Sequence, residues 1–222
     1  RVRGCAVLTV CWAAKGGSGT TVVACALALL SAAAHESSWL IDLAGDVPAA
    51  LGLVEPAGPG VHDWVGSATA GLPAFEALGV PAAEGLALIP KGAASPHAMV
   101  DSARWAELGQ YLAACPTRVV VDAGSWLPPP QFLAAAQKQL LVIRPCYLAL
   151  RRAAASMVVP TGVVVVHEPG RALRAQDVAY AVQAPVVAEI STDPAVARAV
   201  DAGLLASRLP RSLALALGDL AA

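Results

Sequence analysis

Charged and aromatic residues are scarce in this chain of 222 residues. Asp, Glu, Lys and Arg together make up 14% of it and the aromatic residues 5%, lysine occurs only three times, and the formal net charge is −1. A protein that binds nucleic acid tightly needs a stripe of basic side chains to neutralise phosphates, and the sequence shows no such stripe. Nucleic acid is therefore expected to bind weakly or not at all.

Cysteines spaced as a metal-binding or redox pair are also missing. The five cysteines are odd in number and contain no CxxC pair; they are Cys5, Cys11, Cys25, Cys115 and Cys146. Isolated cysteines mostly act as small buried hydrophobes, and free thiols are typical of a reducing compartment. The sequence therefore predicts a cytoplasmic protein without disulfides or a cysteine-bound metal.

Long uninterrupted apolar segments are missing as well, although 57% of the residues are hydrophobic. The longest stretch, residues 22–34, is broken by Ser31 and is shorter than the roughly 20 residues that a membrane-spanning helix needs. Its Ala, Leu and Val content instead fits strands buried on both faces and the helices that cover them. One α/β domain over residues 1–222 is expected, because this length supports a full core.

A glycine-rich segment joins an apolar strand pattern, residues 5–12, to the helix pattern that begins at residue 22. Its glycines allow backbone N–H groups to converge, and the helix N-terminus adds partial positive charge. A strand, a glycine loop and a helix in this order are typical of a phosphate-binding site, although a turn without a ligand remains an alternative. The predicted nucleotide-binding residues are Lys15, Gly16, Gly17, Ser18, Gly19, Thr20 and Thr21.

Two positions of this loop depart from the common pattern GxxxxGK[ST], which would place glycine at 14 and lysine at 20. The chain has Ala14 and Thr20 there, and Lys15 stands directly before the glycines. In this arrangement the loop resembles the deviant Walker A motif of the ParA/MinD family of ATPases. The resemblance implies a homodimer that binds ATP and Mg²⁺, in which Lys15 reaches the phosphates bound by the partner.

The absence of the second lysine resembles one branch of that family, the CpaE/TadZ-like proteins associated with localising pilus-assembly machinery. The resemblance implies pilus-assembly or polar-localisation partners and recruitment to the inner face of the membrane or the cell pole. Membrane contact is expected only indirectly, because the C-terminal segment, residues 210–222, lacks the basic face of an interfacial helix. That segment is predicted to form a short helix docked on the protein's own sheet.

Two predicted strands end in an aspartate, at the edge where ligands bind in open α/β sheets. Asp42 ends the pattern SWLID, and Asp122 ends the pattern RVVVD, which is typical of a Walker B strand. Both are predicted to serve a Mg²⁺ ion together with the Thr21 hydroxyl, usually through water because Mg²⁺ dehydrates reluctantly. The resemblance adds Gly124, whose amide would meet a γ-phosphate.

The family carries a further aspartate, two residues after the first, that positions the attacking water. This chain has Ala44 there and Asp46 two residues later. Asp46 is a candidate replacement if the loop folds back, and a plain turn residue is an equally open interpretation. Lys15 and Asp46 are thus the predicted catalytic residues. Hydrolysis is expected to be slow or absent, because Thr20 and Ala44 lack the groups that the family uses.

Three polar residues near the last strands are assigned to nucleotide binding by the resemblance. His167 and Glu168 follow the strand pattern 161–166, where the family places the adenine base. Asp193 closes a segment that resembles the family's "vxxxIPxD" pattern, with Ser191 in place of proline. A loop stabilised by its own polar groups is an equal alternative for His167 and Glu168.

Taken together, these segments predict a doubly wound α/β fold of the P-loop NTPase type, with a mostly parallel sheet of about seven strands flanked by helices. The leading functional hypothesis is an ATP-binding, dimerising localisation factor with weak ATPase activity. An active partitioning or positioning ATPase and a scaffold that binds no nucleotide are the two alternatives.

Overall fold

The computed structural model describes residues 7–35, 37–94 and 102–222 of the chain. Eight strands form one sheet: β1 (Leu8–Trp12), β2 (Ser38–Asp42), β3 (Val80–Ala83), β4 (Leu86–Ile89), β5 (Arg118–Asp122), β6 (Lys138–Ile143), β7 (Gly162–His167) and β8 (Val186–Ser191). Their order across the sheet is β3-β4-β2-β5-β1-β6-β7-β8, and every neighbouring pair is parallel except β3 with β4.

The helices cover both faces of this sheet. They are α1 (Thr20–His35), α2 (Val47–Leu51), α3 (Val61–Gly66), α4 (Leu72–Glu76), α5 (Ser102–Ala114), α6 (Pro130–Leu133), α7 (Tyr147–Ala154), α8 (Ala175–Val182), α9 (Pro194–Asp201) and α10 (Arg211–Ala221). The predicted doubly wound, mostly parallel architecture is confirmed. The start of the strand pattern 5–12, together with Cys5, lies outside the described residues.

The sheet has one strand more than the seven expected. The segment 71–85 contains the short helix α4, but its second half forms β3, which runs antiparallel to β4 at the edge of the sheet. The chain reverses between them at Gly85, whose φ of 68° is readily adopted only by glycine. Pro81 conceals this strand in the sequence, because proline is accepted in a sheet only where its missing N–H faces away from a neighbour.

Strand residues alternate between two cores, one on each face of the sheet. In β5, Val119 and Val121 belong to the core on one face, and Val120 belongs to the core on the other. Parallel strands covered by helices on both sides have no polar face. This burial on both faces explains why three consecutive residues of β5 are valine. Cys11, Cys25 and Cys115 are buried free thiols, as expected for small hydrophobes.

The register of the central strands brings the glycine loop and both predicted aspartates to one edge. β1 lies between β5 and β6, and Cys11 is paired with Asp122. β2 lies on the other side of β5, where Asp42 is paired directly with Asp122. The loop that follows β1 and the ends of β2 and β5 are therefore neighbours in space.

The C-terminal helix α10 packs against α1 and β8. Leu213 and Leu217 are fully buried in that contact, and the Lys138 ammonium donates a hydrogen bond to the Leu220 carbonyl at 2.7 Å. The predicted docking of this segment on the protein's own sheet is therefore observed. None of the helices in the described part of the chain is long and apolar enough to cross a membrane.

Removing the buried apolar contact of α10 should destabilise the fold. We expect Leu217→Ala to lower the free energy of unfolding by about 2–5 kcal/mol, because a cavity is left where the side chain was completely buried. Leu215→Ala on the same helix is the matched control, since Leu215 is 74% exposed and should change the value by less than about 0.5 kcal/mol. Urea unfolding measures both, and equal effects would contradict a docked helix.

Candidate functional site

The loop between β1 and α1 has a backbone that only glycine readily allows. Gly17 and Gly19 have φ values of 76° and 88°, in the left-handed region. The Ser18 hydroxyl donates a hydrogen bond to the Lys15 carbonyl at 2.8 Å and closes the turn. Helix α1 begins at Thr20, so the loop delivers the chain directly into a helix N-terminus of the kind that binds anions.

A cleft of about 540 Å³ opens beside this loop, which is large enough for a small ligand. It is lined by Gly16, Gly17, Ser18, Gly19, Thr20, Thr21, Val22, Leu43, Ala44, Asp46, Ala49, Ala50, Ala123, Gly124, Ser125, Trp126 and Val200. Six of the seven predicted loop residues are thus brought to one cleft. The seventh, Lys15, is exposed and does not line it.

Asp122 is fully buried beside this cleft and only partly hydrogen-bonded. Its Oδ1 atom accepts a hydrogen bond from the Gly124 amide at 3.0 Å, whereas its buried Oδ2 atom has no partner within hydrogen-bonding geometry among the described residues, although the Thr21 hydroxyl is close enough to influence the carboxylate. Burial raises the pKa of Asp122 to about 6, although the Thr21 hydroxyl and the Gly124 amide favour the charged form. A buried carboxylate oxygen without a partner is costly, and a bound cation would satisfy it.

Asp42 is also fully buried, but its oxygen atoms are already used. Oδ1 accepts hydrogen bonds from the Ala44 and Gly45 amides at 2.9 and 2.6 Å, and Oδ2 accepts one from the Val47 amide at 3.2 Å. Burial raises the pKa of Asp42 to about 7, although these three bonds offset part of the shift. Asp42 shapes the loop after β2, and its predicted contact with Mg²⁺ stays a prediction.

The loop after β2 places Asp46 at the cleft, where Ala44 also lies. The Asp46 charge contributes to raising the pKa of Asp122, so the two carboxylates repel each other. Ala44 meets the loop after β5 closely, since a β-carbon added to Gly124 would be 2.8 Å from the Ala44 Cβ. The Gly124 amide donates a hydrogen bond to Asp122. To donate to a γ-phosphate, as predicted, the amide would first have to break this hydrogen bond.

A second cavity, of about 470 Å³, lies at the ends of β6, β7 and β8. It is lined by Arg144, Glu168, Pro169, Gly170, Arg171 and Thr192. The Glu168 carboxylate binds the Arg171 Nε atom at 2.9 Å and the Arg144 Nη1 atom at 3.1 Å. These contacts, with Arg171 foremost, hold the pKa of Glu168 below its usual range.

His167, also predicted near the base, and Asp193, predicted to bind nucleotide, do not line this second cavity. His167 places its Nε2 atom 2.7 Å from the Glu189 Oε2 atom. Asp193 caps helix α9 by accepting a hydrogen bond from the Ala195 amide at 2.8 Å, and it accepts another from the Ser212 hydroxyl at 2.7 Å. The Ser212 bond is the main reason that the pKa of Asp193 is lowered. Asp193 therefore joins α9 to α10 in this structure.

The structure adds residues that the sequence patterns do not reveal. Arg144 directly follows β6, so the rule that ligands bind at strand ends could have identified it. Trp126 and Val200 reach the first cleft from distant parts of the chain, and no local pattern indicates them. In the described residues, no cluster of three or more His, Cys, Asp and Glu side chains could hold a metal by itself.

The glycine loop, the adjoining strand-end aspartates and the parallel sheet define a fold of the P-loop NTPase type. No protein-family model and no curated protein sequence matches the chain. Solved structures match over 97% of it: MinD from Aquifex aeolicus (TM-score 0.76, 20% identity, 95% of that chain) and MinD with Mg-ADP from Pyrococcus horikoshii (0.77, 18%, 94%). A ParA family ATPase from Chlorobium tepidum is similar (0.74, 18%, 98% of that chain). The chain therefore has the MinD/ParA fold.

Burial of Asp122 should make the stability of the free protein depend on pH. Because its pKa is raised from 3.8 to about 6, its contribution to stability is fully present below about pH 4 and is lost as pH rises through about 6. In EDTA, the free energy of unfolding of the wild type should fall by an amount on the order of 3 kcal/mol between pH 4 and 7 because of Asp122. We expect this decrease to be absent in Asp122→Asn. Asp42, whose pKa is raised mainly by its own burial and partly by the Asp122 charge, should keep most of its own contribution to the pH dependence.

Urea unfolding at half-unit pH steps measures this dependence. Asp219→Asn, on the exposed side of α10, is the matched control and should retain the wild-type profile. An unchanged profile for Asp122→Asn would contradict the electrostatic environment described for Asp122.

Proposed function

We propose that this protein binds ATP with Mg²⁺ in the cleft beside the glycine loop and dimerises around the nucleotide. The observation that carries the proposal is the buried Oδ2 atom of Asp122, which accepts no hydrogen bond from the residues that the structure describes and lies beside a cleft formed by a glycine loop and a helix N-terminus. A cation between Asp122 and a phosphate would satisfy both groups, so the donor set fits Mg²⁺. A scaffold that binds no nucleotide would have no use for this arrangement.

Different residues would bind the phosphates, the Mg²⁺ ion and the base. Gly16 to Thr20 would surround the phosphates, and Thr21 and Asp122 would hold Mg²⁺, which would neutralise phosphate charge when bound. The cavity around Glu168 would take the base. Gly19 lies near the end of β7, because a β-carbon added to it would be 4.0 Å from the Val166 Cγ2 atom.

Dimerisation would follow from the position of Lys15. Its side chain is exposed and does not line the cleft of its own protomer, so it is available to the nucleotide of a second copy. The complex of MinD with MinC from Aquifex aeolicus and the ATP complex of a McdA variant from Cyanothece (TM-scores 0.75 and 0.62) show that this fold accommodates a partner protein or ATP in those proteins. This chain would share both properties.

Nucleotide would act mainly as a conformational signal, in a localisation factor of the CpaE/TadZ-like kind. Thr20 offers no charge to the phosphates, and Ala44 cannot orient a water molecule. Pilus-assembly or polar-localisation proteins in the cytoplasm are the proposed partners, and they would bring the protein to the membrane or pole. The position of Asp46 at the cleft favours a second candidate, an active positioning or partitioning ATPase, because Asp46 would be placed to orient water.

The role of Lys15 in dimerisation can be measured by sedimentation velocity with a non-hydrolysable ATP analogue and Mg²⁺. We expect wild type to shift from monomer to dimer with the analogue but not with ADP. Lys15→Ala should remain monomeric, because the partner's cation on the triphosphate is lost. The matched control is Arg152→Ala, an exposed residue on α7. A Lys15→Ala dimer would refute the proposed interface, and failure of wild type to bind the analogue would refute the nucleotide site.

Phosphate release separates the two candidate functions. We expect wild type to turn over very slowly and Thr20→Lys to tighten ATP binding without rapid turnover. Thr20→Lys with Ala44→Asp should raise turnover by more than the product of the single effects, because groups that act together in transfer are not additive. If wild type is already fast and Asp46→Ala abolishes its turnover, the positioning ATPase is the correct assignment.

A further inference from the structure

The first cleft is short of positive charge for the ligand proposed above, and the inference developed here rests on that proposed function. No lysine or arginine is found among the described residues that line the cleft, whereas Asp46 lines it and the buried Asp122 lies beside it. A nucleoside triphosphate would add several more negative charges. Protein sites that hold phosphates normally meet them with lysine or arginine, because charge-assisted hydrogen bonds are the strong ones.

Lys91, in the loop after β4, lies against the loop that carries Ala44 and Asp46 to this cleft. A β-carbon added to Gly45 would be 3.0 Å from the Lys91 Cδ atom and 3.4 Å from its Nζ atom. Gly45 stands between the two cleft residues and has a φ of 99°, which favours glycine, and a β-carbon added there would crowd the Lys91 side chain. The Lys91 ammonium therefore lies across the loop, next to residues that line the cleft.

The backbone of Lys91 is fixed by the start of helix α3. The Pro90 carbonyl accepts a hydrogen bond from the Val61 amide at 2.8 Å, and the Lys91 carbonyl accepts one from the His62 amide at 3.1 Å. The His62 ring, only 3% exposed, places Nε2 3.1 Å from the Leu43 carbonyl. His62 thus holds both the base of Lys91 and the beginning of the loop after β2. His62 therefore connects the backbone of Lys91 to the loop that carries Ala44 and Asp46.

The acidic groups around Lys91 do not engage it in an ion pair. Within the described residues, no carboxylate lies at ion-pair distance from its ammonium. Asp63, on the adjoining helix α3, uses its carboxylate to accept hydrogen bonds from the amides of Gly60, Ala93 and Ala94. Asp42 is likewise occupied by amides of its own loop.

The other two lysines of the chain are placed elsewhere. Lys138 donates to the Leu220 carbonyl, and Lys15 is exposed outside the cleft. We propose that Lys91 is the lysine with which this protein binds the terminal phosphate of its own bound triphosphate. From the loop after β4, its side chain would reach the phosphate past Gly45 of the loop after β2, and so supply the charge that is missing at Thr20.

Affinities for ATP and ADP, measured by calorimetry with Mg²⁺ and at protein concentrations that keep it monomeric, test this role. Lys91→Met removes the charge and keeps the length of the side chain. We expect it to weaken ATP about tenfold or more and ADP less than about twofold, because only ATP carries the terminal phosphate. Lys91→Arg should retain most of the wild-type affinity for ATP, and Arg152→Met is the control at an exposed position.

A second experiment tests whether a lysine at position 20 can replace Lys91 in binding the terminal phosphate. Thr20→Lys in the Lys91→Met background should restore ATP affinity if both positions serve the terminal phosphate. Thermal unfolding without nucleotide checks the fold of each variant, and Lys91→Gln replaces Lys91→Met if the latter unfolds. Equal losses for ATP and ADP, or no loss for ATP, would overturn the role of Lys91 alone. Failure of wild type to bind ATP would instead overturn the proposed function.

Discussion

The burial of two aspartates side by side is the constraint on which the rest of this structure depends. Asp42 and Asp122 are paired across β2 and β5 and are both fully buried, with pKa values raised to about 7 and 6. Desolvating a carboxylate is unfavourable unless hydrogen bonds or a cation compensate. Three loop amides compensate Asp42, whereas one oxygen of Asp122 accepts no hydrogen bond from the described part of the chain. The two acids therefore differ in their hydrogen bonding: Asp42 organises a loop, and Asp122 keeps an oxygen that the proposed Mg²⁺ would satisfy.

The loop that Asp42 organises connects several features that are far apart in the sequence. Its amide bonds set the conformation at Ala44 and Gly45, and this conformation brings Asp46 to the cleft and leaves space above Gly45 for Lys91. His62 ties the start of this loop to the loop after β4. The hydrogen bonds of one buried carboxylate thus shape the loop that carries Asp46 to the cleft and that leaves room for Lys91 beside Gly45.

The sequence predicts the parts of this structure that local chemistry decides. β2 and β5 match their predicted bounds, because strands buried on both faces are apolar runs and an aspartate marks the end of each of these two. The glycine loop is indicated by its place between a strand pattern and a helix pattern. β3 is hidden by Pro81. The contributions of Trp126 and Val200 to the cleft depend on packing between distant segments. Lys91 is missed for the same reason: nothing near position 91 indicates that Gly45 leaves room for its side chain.

The arrangement of charge also bears on why such a protein would dimerise. A P-loop lysine is normally fixed at the start of the helix, where it meets the phosphates whether or not a partner is present. Here that position is the neutral Thr20, and Lys15 lies outside the cleft of its own protomer. If the partner supplies Lys15, affinity for nucleotide and affinity between protomers are linked, and each strengthens the other. Even with Lys91 on the terminal phosphate, the partner's Lys15 would then make nucleotide binding stronger in the dimer than in the monomer, which suits a localisation factor better than a fast enzyme.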